Sequence, residues 1–218
     1  MKIRFLVMDV DGTLTDGKIY MGAQGELLKA FDIKDGYGIK EILPLHNITP
    51  VIITARSSEI LQNRCRELGI TELYQNTRDK FACLTALLER HHSSLAEVAY
   101  IGDDCLDLQC MEPVLRAGGQ TGCPANAVPA VMAACSFVAP HKAGEGAVRD
   151  FVEYLVNPQS LKPSNPQTLK PEATPRQSGG LYRQSRLRLP LPGYPQSVAR
   201  LLFQRDGVCP ISRTGGTL

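Results

Sequence analysis

The sequence predicts an α/β fold, a doubly wound parallel sheet with a β-hairpin after its first strand. Three observations carry this. Short apolar runs rich in β-branched residues alternate with amphipathic stretches over the first 150 or so residues. Polar clusters follow three of these runs, at Asp9, Thr54 and Asp103, so several strand ends converge on one edge. After Val156 the composition changes altogether.

Ile3–Met8 reads as a buried strand that delivers Asp9-Val10-Asp11-Gly12-Thr13 to the sheet edge. Lys18–Met21 and Glu26–Phe31, separated by Gly22-Ala23-Gln24-Gly25, read as a hairpin projecting beyond that edge. Lys34-Asp35-Gly36-Tyr37-Gly38 reads as a tight turn opening a helix over about Tyr37–His46, which Pro44 should kink. Thr49–Thr54 is a second buried strand. Ser57 or Ser58 caps the next helix, whose stripe Ile60, Leu61, Cys65 and Leu68 ends at Gly69.

Leu73-Tyr74 is a short strand, and Asp79-Lys80 opens a helix with Phe81, Leu84, Leu87 and Leu88 inward. Glu97–Ile101 is the next strand, followed by Gly102-Asp103-Asp104-Cys105-Leu106-Asp107-Leu108. A helix at about Ala125–Cys135, a strand at Phe137-Val138 and a helix at Gly146–Val156 complete a 1–156 domain.

Residues 1–156 hold 15 Lys and Arg against 20 Asp and Glu, whereas 157–218 hold 9 against 2. The second stretch also carries nine of the 15 prolines and repeats Asn157-Pro158-Gln159-Ser160-Leu161-Lys162-Pro163 as Asn165-Pro166-Gln167-Thr168-Leu169-Lys170-Pro171. Such a composition buries too little apolar area to offset chain entropy, so a disordered tail is the expectation. Its Arg-rich Leu181–Leu189 has a single aromatic, Tyr182, rather than a stacking series, and no nucleic-acid motif, so neither nucleic acid nor membrane is expected as a partner. Seven cysteines without a C-x-x-C pair, no secretory signal and no long apolar run suit a reducing cytosol.

The assembled edge would offer carboxylates from Asp9, Asp11, Asp103, Asp104 and Asp107, the Thr54 hydroxyl and the Lys80 ammonium. Two carboxylates about 4 Å apart repel by roughly 4 kcal/mol at an effective dielectric of about 20, so a hard cation such as Mg²⁺ belongs among them. Metal, ammonium, hydroxyl and a carboxylate nucleophile are the parts needed for phosphoryl transfer.

Asp9-Val10-Asp11-Gly12-Thr13, Thr54, Lys80 and Gly102-Asp103-Asp104 with Asp107, in that order, resemble the four motifs of the haloacid dehalogenase superfamily. Leu14-Thr15-Asp16-Gly17, Phe31-x-x-Lys34-Asp35-Gly36-x-Gly38 and Gly144-Glu145-Gly146-Ala147-Val148-Arg149 narrow the resemblance to the 3-deoxy-D-manno-octulosonate 8-phosphate phosphatases. It covers about residues 2–156. It implies a capless core, Mg²⁺, Asp9 as nucleophile and Asp11 as general acid and base, with Thr54 and Lys80 on the phosphoryl oxygens. Metal ligands would be Asp9, the backbone carbonyl of Asp11, and Asp103, supported by Asp104 or Asp107. Lys34, Arg56 and Arg149 are the implied contacts to a phosphorylated sugar acid, in a homotetramer whose hairpins cover neighbouring sites.

Readings kept beside it are a nonulosonate 9-phosphate phosphatase and a non-catalytic binding module. Two positions depart from the family pattern. Ala55 stands where Gly is usual, which matters if that position needs φ > 0. Lys34 stands where Arg is usual, and Lys cannot make Arg's bidentate grip.

Overall fold

The computed structural model describes residues 2–157. The repeat, the Arg-rich run and the expected disordered tail lie outside them. Six parallel strands form one sheet in the order β5-β4-β1-β6-β7-β8: β1 Phe5–Met8, β4 Thr49–Ile53, β5 Glu72–Tyr74, β6 Val98–Ile101, β7 Gln120–Cys123 and β8 Phe137–Val138. The chain leaves β1 toward β4 and β5, then crosses back through α4 (Lys80–Arg90) to β6 on the other side of β1. The carboxyl ends of β1 and β6 therefore flank the topological switch point, where such sheets bind ligands.

β1 is buried along its whole length because both sheet faces are covered. Leu6 and Met8 pack with Ile39, Leu61, Val148 and Phe151 on one face. Phe5 and Val7 pack with Leu84, Leu87, Met111 and Val114 on the other. Fully burying each such side chain stabilises the fold by about 1.5–3 kcal/mol. Helix α3 (Glu59–Leu68) starts at Ser58, whose Oγ accepts from Leu61 N at 3.3 Å, and stops at Gly69 with φ 74°. Helix α4 starts at Asp79, whose Oδ1 accepts from Ala82 N at 3.0 Å.

Several local expectations need correction. The hairpin strands, β2 (Tyr20–Gly22) and β3 (Gly25–Leu28), pair Gly22 with Gly25, so the connection is two residues rather than four. The stretch expected to be a turn at Lys34–Gly38 is already helical: α1 spans Ile33–Tyr37, capped by Asp32, whose Oδ1 accepts from Lys34 N at 2.6 Å. The Arg64 guanidinium fills the space beside Gly36, where a Cβ would have to displace it. A π-helical turn, Gly38–Ile42, then leads into α2 (Leu43–Leu45), which takes Pro44 in its first turn, where no N–H is needed.

Helix α5 (Leu108–Arg116) and strand β7 were not expected. Pro113 inside α5 breaks the sequence signal, although the helix packs Cys110, Met111 and Val114 inward. β7 carries Gln120, Thr121 and Gly122, without the usual β-branched apolar run; Gly122 is needed because a Cβ would lie 2.8 Å from the Phe151 ring. The helix expected over Ala125–Cys135 is the shorter α6 (Pro129–Ala134), and α7 spans Ala147–Val156. No helix among the described residues is long and apolar enough to cross a membrane. All six described cysteines are free thiols.

Asp35 of α1 is only 1% exposed. Its Oδ1 accepts from Arg149 N at 2.7 Å in the first turn of α7, while Oδ2 has no partner among the described residues. Burial, opposed by the Arg149 N–H, pushes its carboxyl from 3.8 to about 7. The folded chain therefore holds a proton that the unfolded chain releases, and stability falls as pH rises from about 4 to 7. At most about 4 kcal/mol is at stake, and the α7 N-terminus offsets about 1 kcal/mol by favouring the anion. Asp35→Asn removes this slope. Urea unfolding near pH 5 and near pH 8 should show the variant gaining on wild type by about 1–3 kcal/mol at the higher pH.

Candidate active site

Asp9 follows β1 directly, its N–H donating to Ile101 O at 3.1 Å, so it lies beside the end of β6 and close to Asp103. Past Asp9 the backbone tightens, with the N–H groups of Thr13, Leu14 and Thr15 all donating to Val10 O. Gly12 is required in this turn: φ is 93°, and a Cβ would collide with the Asp103 carboxylate. Thr13 Oγ1 donates to Asp103 Oδ1 at 3.0 Å, tying the β1 loop to the β6 loop.

Lys80, the first residue of α4 and 1% exposed, donates from Nζ to Asp9 Oδ1 and Asp107 Oδ1, both at 2.8 Å. Tyr100 OH also donates to Asp107 Oδ1, at 2.9 Å. Asp107 Oδ2 takes the backbone N–H groups of Asp103 and Asp104 at 3.1 and 3.3 Å. Asp107 is thus the hub that shapes the Asp103 loop, and its oxygens are committed. Asp104, the other candidate for that supporting place, turns out to solvent and accepts from Cys105 N at 2.7 Å.

One ammonium faces three carboxylates, and their potential ligand atoms lie within 4.8 Å of one another. Burial and repulsion from Asp107 push Asp9 up to about 6 despite Lys80. Burial, then Asp9 and Asp107, push Asp103 up to about 7. This excess of negative oxygen is the donor set that a hard divalent cation requires.

Asp11 points away from this cluster, toward the hairpin. Its Oδ1 accepts from Lys29 Nζ, and its Oδ2 lies 3.9 Å from Arg56 Nε. Lys29 was not among the residues singled out from the sequence, because nothing in a Leu-Leu-Lys-Ala stretch distinguishes it from a solvated charge. Arg56 Nη2 donates to Glu26 Oε1 at 3.2 Å. Thr54 ends the run from β4, is buried, and anchors the loop through its N–H to Tyr74 O and its Oγ1, which accepts from Arg56 N. Ala55 does not have positive φ, so the residue that departs from the family pattern fits without strain.

The other two candidate substrate contacts have partners elsewhere. Lys34 Nζ donates to Glu145 O at 3.0 Å and braces the Gly144–Gly146 loop, which abuts the Thr15-Asp16 backbone. Arg149 Nε donates to Glu153 Oε1 at 2.7 Å, with its guanidinium over the Tyr37 ring.

Because Asp107 serves four donors, Asp107→Ala should cost about 2–4 kcal/mol by leaving the buried Tyr100 hydroxyl and the Asp103 and Asp104 N–H groups without their acceptor, while Lys80 keeps Asp9. Asp107→Asn, which keeps one acceptor oxygen, should cost less. Urea unfolding of metal-free protein checks both.

No family model matches the chain. It is 42% identical over 154 residues to the 3-deoxy-D-manno-octulosonate 8-phosphate phosphatase KdsC of Escherichia coli K12, covering 71% of this chain and 79% of that one. The crystal structure of the Yersinia pestis 3-deoxy-D-manno-octulosonate 8-phosphate phosphatase matches at TM-score 0.66 and 42% identity, covering 72% of this chain and 83% of the other. That of the Moraxella catarrhalis phosphatase, in complex with magnesium, phosphate and KDO, matches at TM-score 0.67 and 34% identity over 72% and 88%. On this identity and coverage, the chain belongs to the 3-deoxy-D-manno-octulosonate 8-phosphate phosphatase family, phosphoric monoester hydrolases of the haloacid dehalogenase superfamily.

Proposed function

We propose that the protein hydrolyses 3-deoxy-D-manno-octulosonate 8-phosphate to the free sugar acid and phosphate with Mg²⁺, through an aspartyl phosphate on Asp9, in lipopolysaccharide precursor synthesis in the cytosol. The observation that carries this reading is the pairing of Asp9 with Lys80 beside the Asp103 carboxylate, at the switch point of a chain 42% identical to such phosphatases.

Lys80 holds Asp9 Oδ1, which leaves Oδ2 to attack phosphorus. Lys80 and Thr54 then offer donors to the phosphoryl oxygens. Asp11 gives a proton to the sugar oxygen as the P–O bond breaks, and takes one from the water that attacks the aspartyl phosphate. Asp9, Asp103 and the Asp11 backbone carbonyl would hold Mg²⁺, which when bound neutralises charge building on the phosphoryl oxygens. Arg56 is the first choice for the sugar carboxylate because its Nε stands 3.9 Å from Asp11 Oδ2, although it would share its guanidinium between Glu26 and substrate. Lys34 and Arg149 would have to exchange the Glu145 carbonyl and Glu153 for substrate oxygens.

We also propose a homotetramer in which hairpins meet neighbouring subunits. The hairpin exposes Met21 and Leu27 by 62% and 66%, with Ile19, Leu28 and the nearby Ile33 of α1 also exposed. Exposed apolar groupings of this kind mark interaction surfaces.

Metal-dependent release of phosphate from 3-deoxy-D-manno-octulosonate 8-phosphate should disappear with chelator and in Asp9→Asn. Preferential turnover of a nonulosonate 9-phosphate would reassign the substrate. Calorimetry should show Mg²⁺ binding weakening from about pH 8 to about pH 6, because Asp9 and Asp103 must release protons to bind it. In sedimentation, the full chain should behave as a tetramer and the Met21→Glu/Leu27→Glu double variant as smaller species.

A further inference from the structure

We propose that Lys29, delivered by the hairpin, is a positioning residue that fixes the Asp11 carboxylate for proton transfer; this rests on the acid–base role of Asp11 proposed above. Lys29 lies one residue beyond β3 on a hairpin whose neighbouring side chains Leu27 and Leu28 face solvent, yet its own side chain is only 4% exposed. A lysine loses both hydration and rotamer freedom on such burial, so its contacts must hold it there.

Those contacts form a closed circuit. Lys29 Nζ binds Asp11 Oδ1 and lies 3.1 Å from Glu26 Oε1. Glu26 Oε1 also accepts from Arg56, and Glu26 Oε2 accepts from Ser58 Oγ, the group that caps α3. Arg56 closes the ring 3.9 Å from Asp11 Oδ2. Glu26 therefore anchors both cations to the α3 N-terminus, and Lys29 carries that anchorage to Asp11. Arg56 does so less firmly, because it is farther from Asp11 and more exposed. With Oδ1 held, Asp11 presents its other oxygen to the leaving sugar oxygen and later to water.

The test compares wild type, Lys29→Met, Lys29→Arg, Glu26→Gln and Asp11→Asn of the full chain, using the sugar phosphate and 4-nitrophenyl phosphate. Lys29→Met should lower kcat for the sugar phosphate about 10²-fold, in the range of general acid–base contributions, with KM changed less than about threefold. Nitrophenolate leaves without needing a proton. Lys29→Met should therefore release about one equivalent of it per site in a burst, followed by slow turnover, as water activation still needs Asp11. Lys29→Arg should recover to within about tenfold of wild type and Glu26→Gln should fall between, which a purely structural loss would not produce. A kcat for Lys29→Met within about threefold of wild type, or an equal loss of burst and turnover, overturns the proposal. Asp11→Asn turning over at the wild-type rate would instead remove the acid–base reading, and the role of Lys29 with it.

Discussion

Three carboxylates and one ammonium meet at the adjoining ends of β1 and β6, and the local structure is arranged around that imbalance. Asp107 can stay buried because Lys80, Tyr100 and two backbone N–H groups take its oxygens. Its commitment fixes the Asp103 loop, and Thr13 then ties Asp103 to the β1 turn. Asp9 and Asp103 are left with lone pairs and too little positive charge nearby, which is why burial drives both toward protonation. A site that stabilises its own loops through Asp107 while Lys80 compensates Asp9 and Asp103 only in part suits a cation and an anion together.

The hairpin adds a second electrostatic layer with the opposite balance. Lys29 and Arg56 face Asp11 and Glu26, two cations to two anions, so this layer is neutral where the inner one is negative. Asp9 and Asp11 are two residues apart in sequence but belong to different layers. This separation suits the two roles proposed for the carboxylates, Asp9 within the acidic cluster that could hold a metal and Asp11 beside the hairpin cations. It also links the hairpin's position to the reaction centre through side chains alone.

The parallel core and the gathering of the candidate residues at one edge could be read from the chain because strand ends carry their own labels. Asp9, Thr54 and Asp103 each follow an apolar run, and a doubly wound sheet leaves such residues on one edge. Asp107 was legible as a support but not as the hub, since its grip on the Asp103 loop depends on how that loop folds back and its ion pair on Lys80, 27 residues away. Lys29 and Glu26 were illegible because only the return of β3 brings them to Asp11. In α5 and β7 local composition misleads: Pro113 sits inside a helix held by Cys110, Met111 and Val114, and Gly122 sits in a strand because Phe151 occupies the space of a side chain. Tertiary packing overrode local propensity in both.

The two departures from the family pattern separate chemistry from recognition. Ala55 costs nothing, because the backbone there does not take the conformation that only glycine tolerates. Lys34 Nζ lies 3.9 Å from Asp32 Oδ2 and donates to the Glu145 carbonyl, and a carbonyl needs a single donor rather than the fork of an arginine. What that contact holds is the Gly144–Gly146 loop, pressed so closely on Thr15 and Asp16 that a Cβ at Gly144 would lie 2.7 Å from Asp16 N. A lysine is sufficient for bracing of this kind but not for bidentate capture of a carboxylate. The substitution is therefore tolerated if position 34 shapes the wall of the site, and of the three cations proposed to meet the sugar acid it is Arg56 that stands beside Asp11.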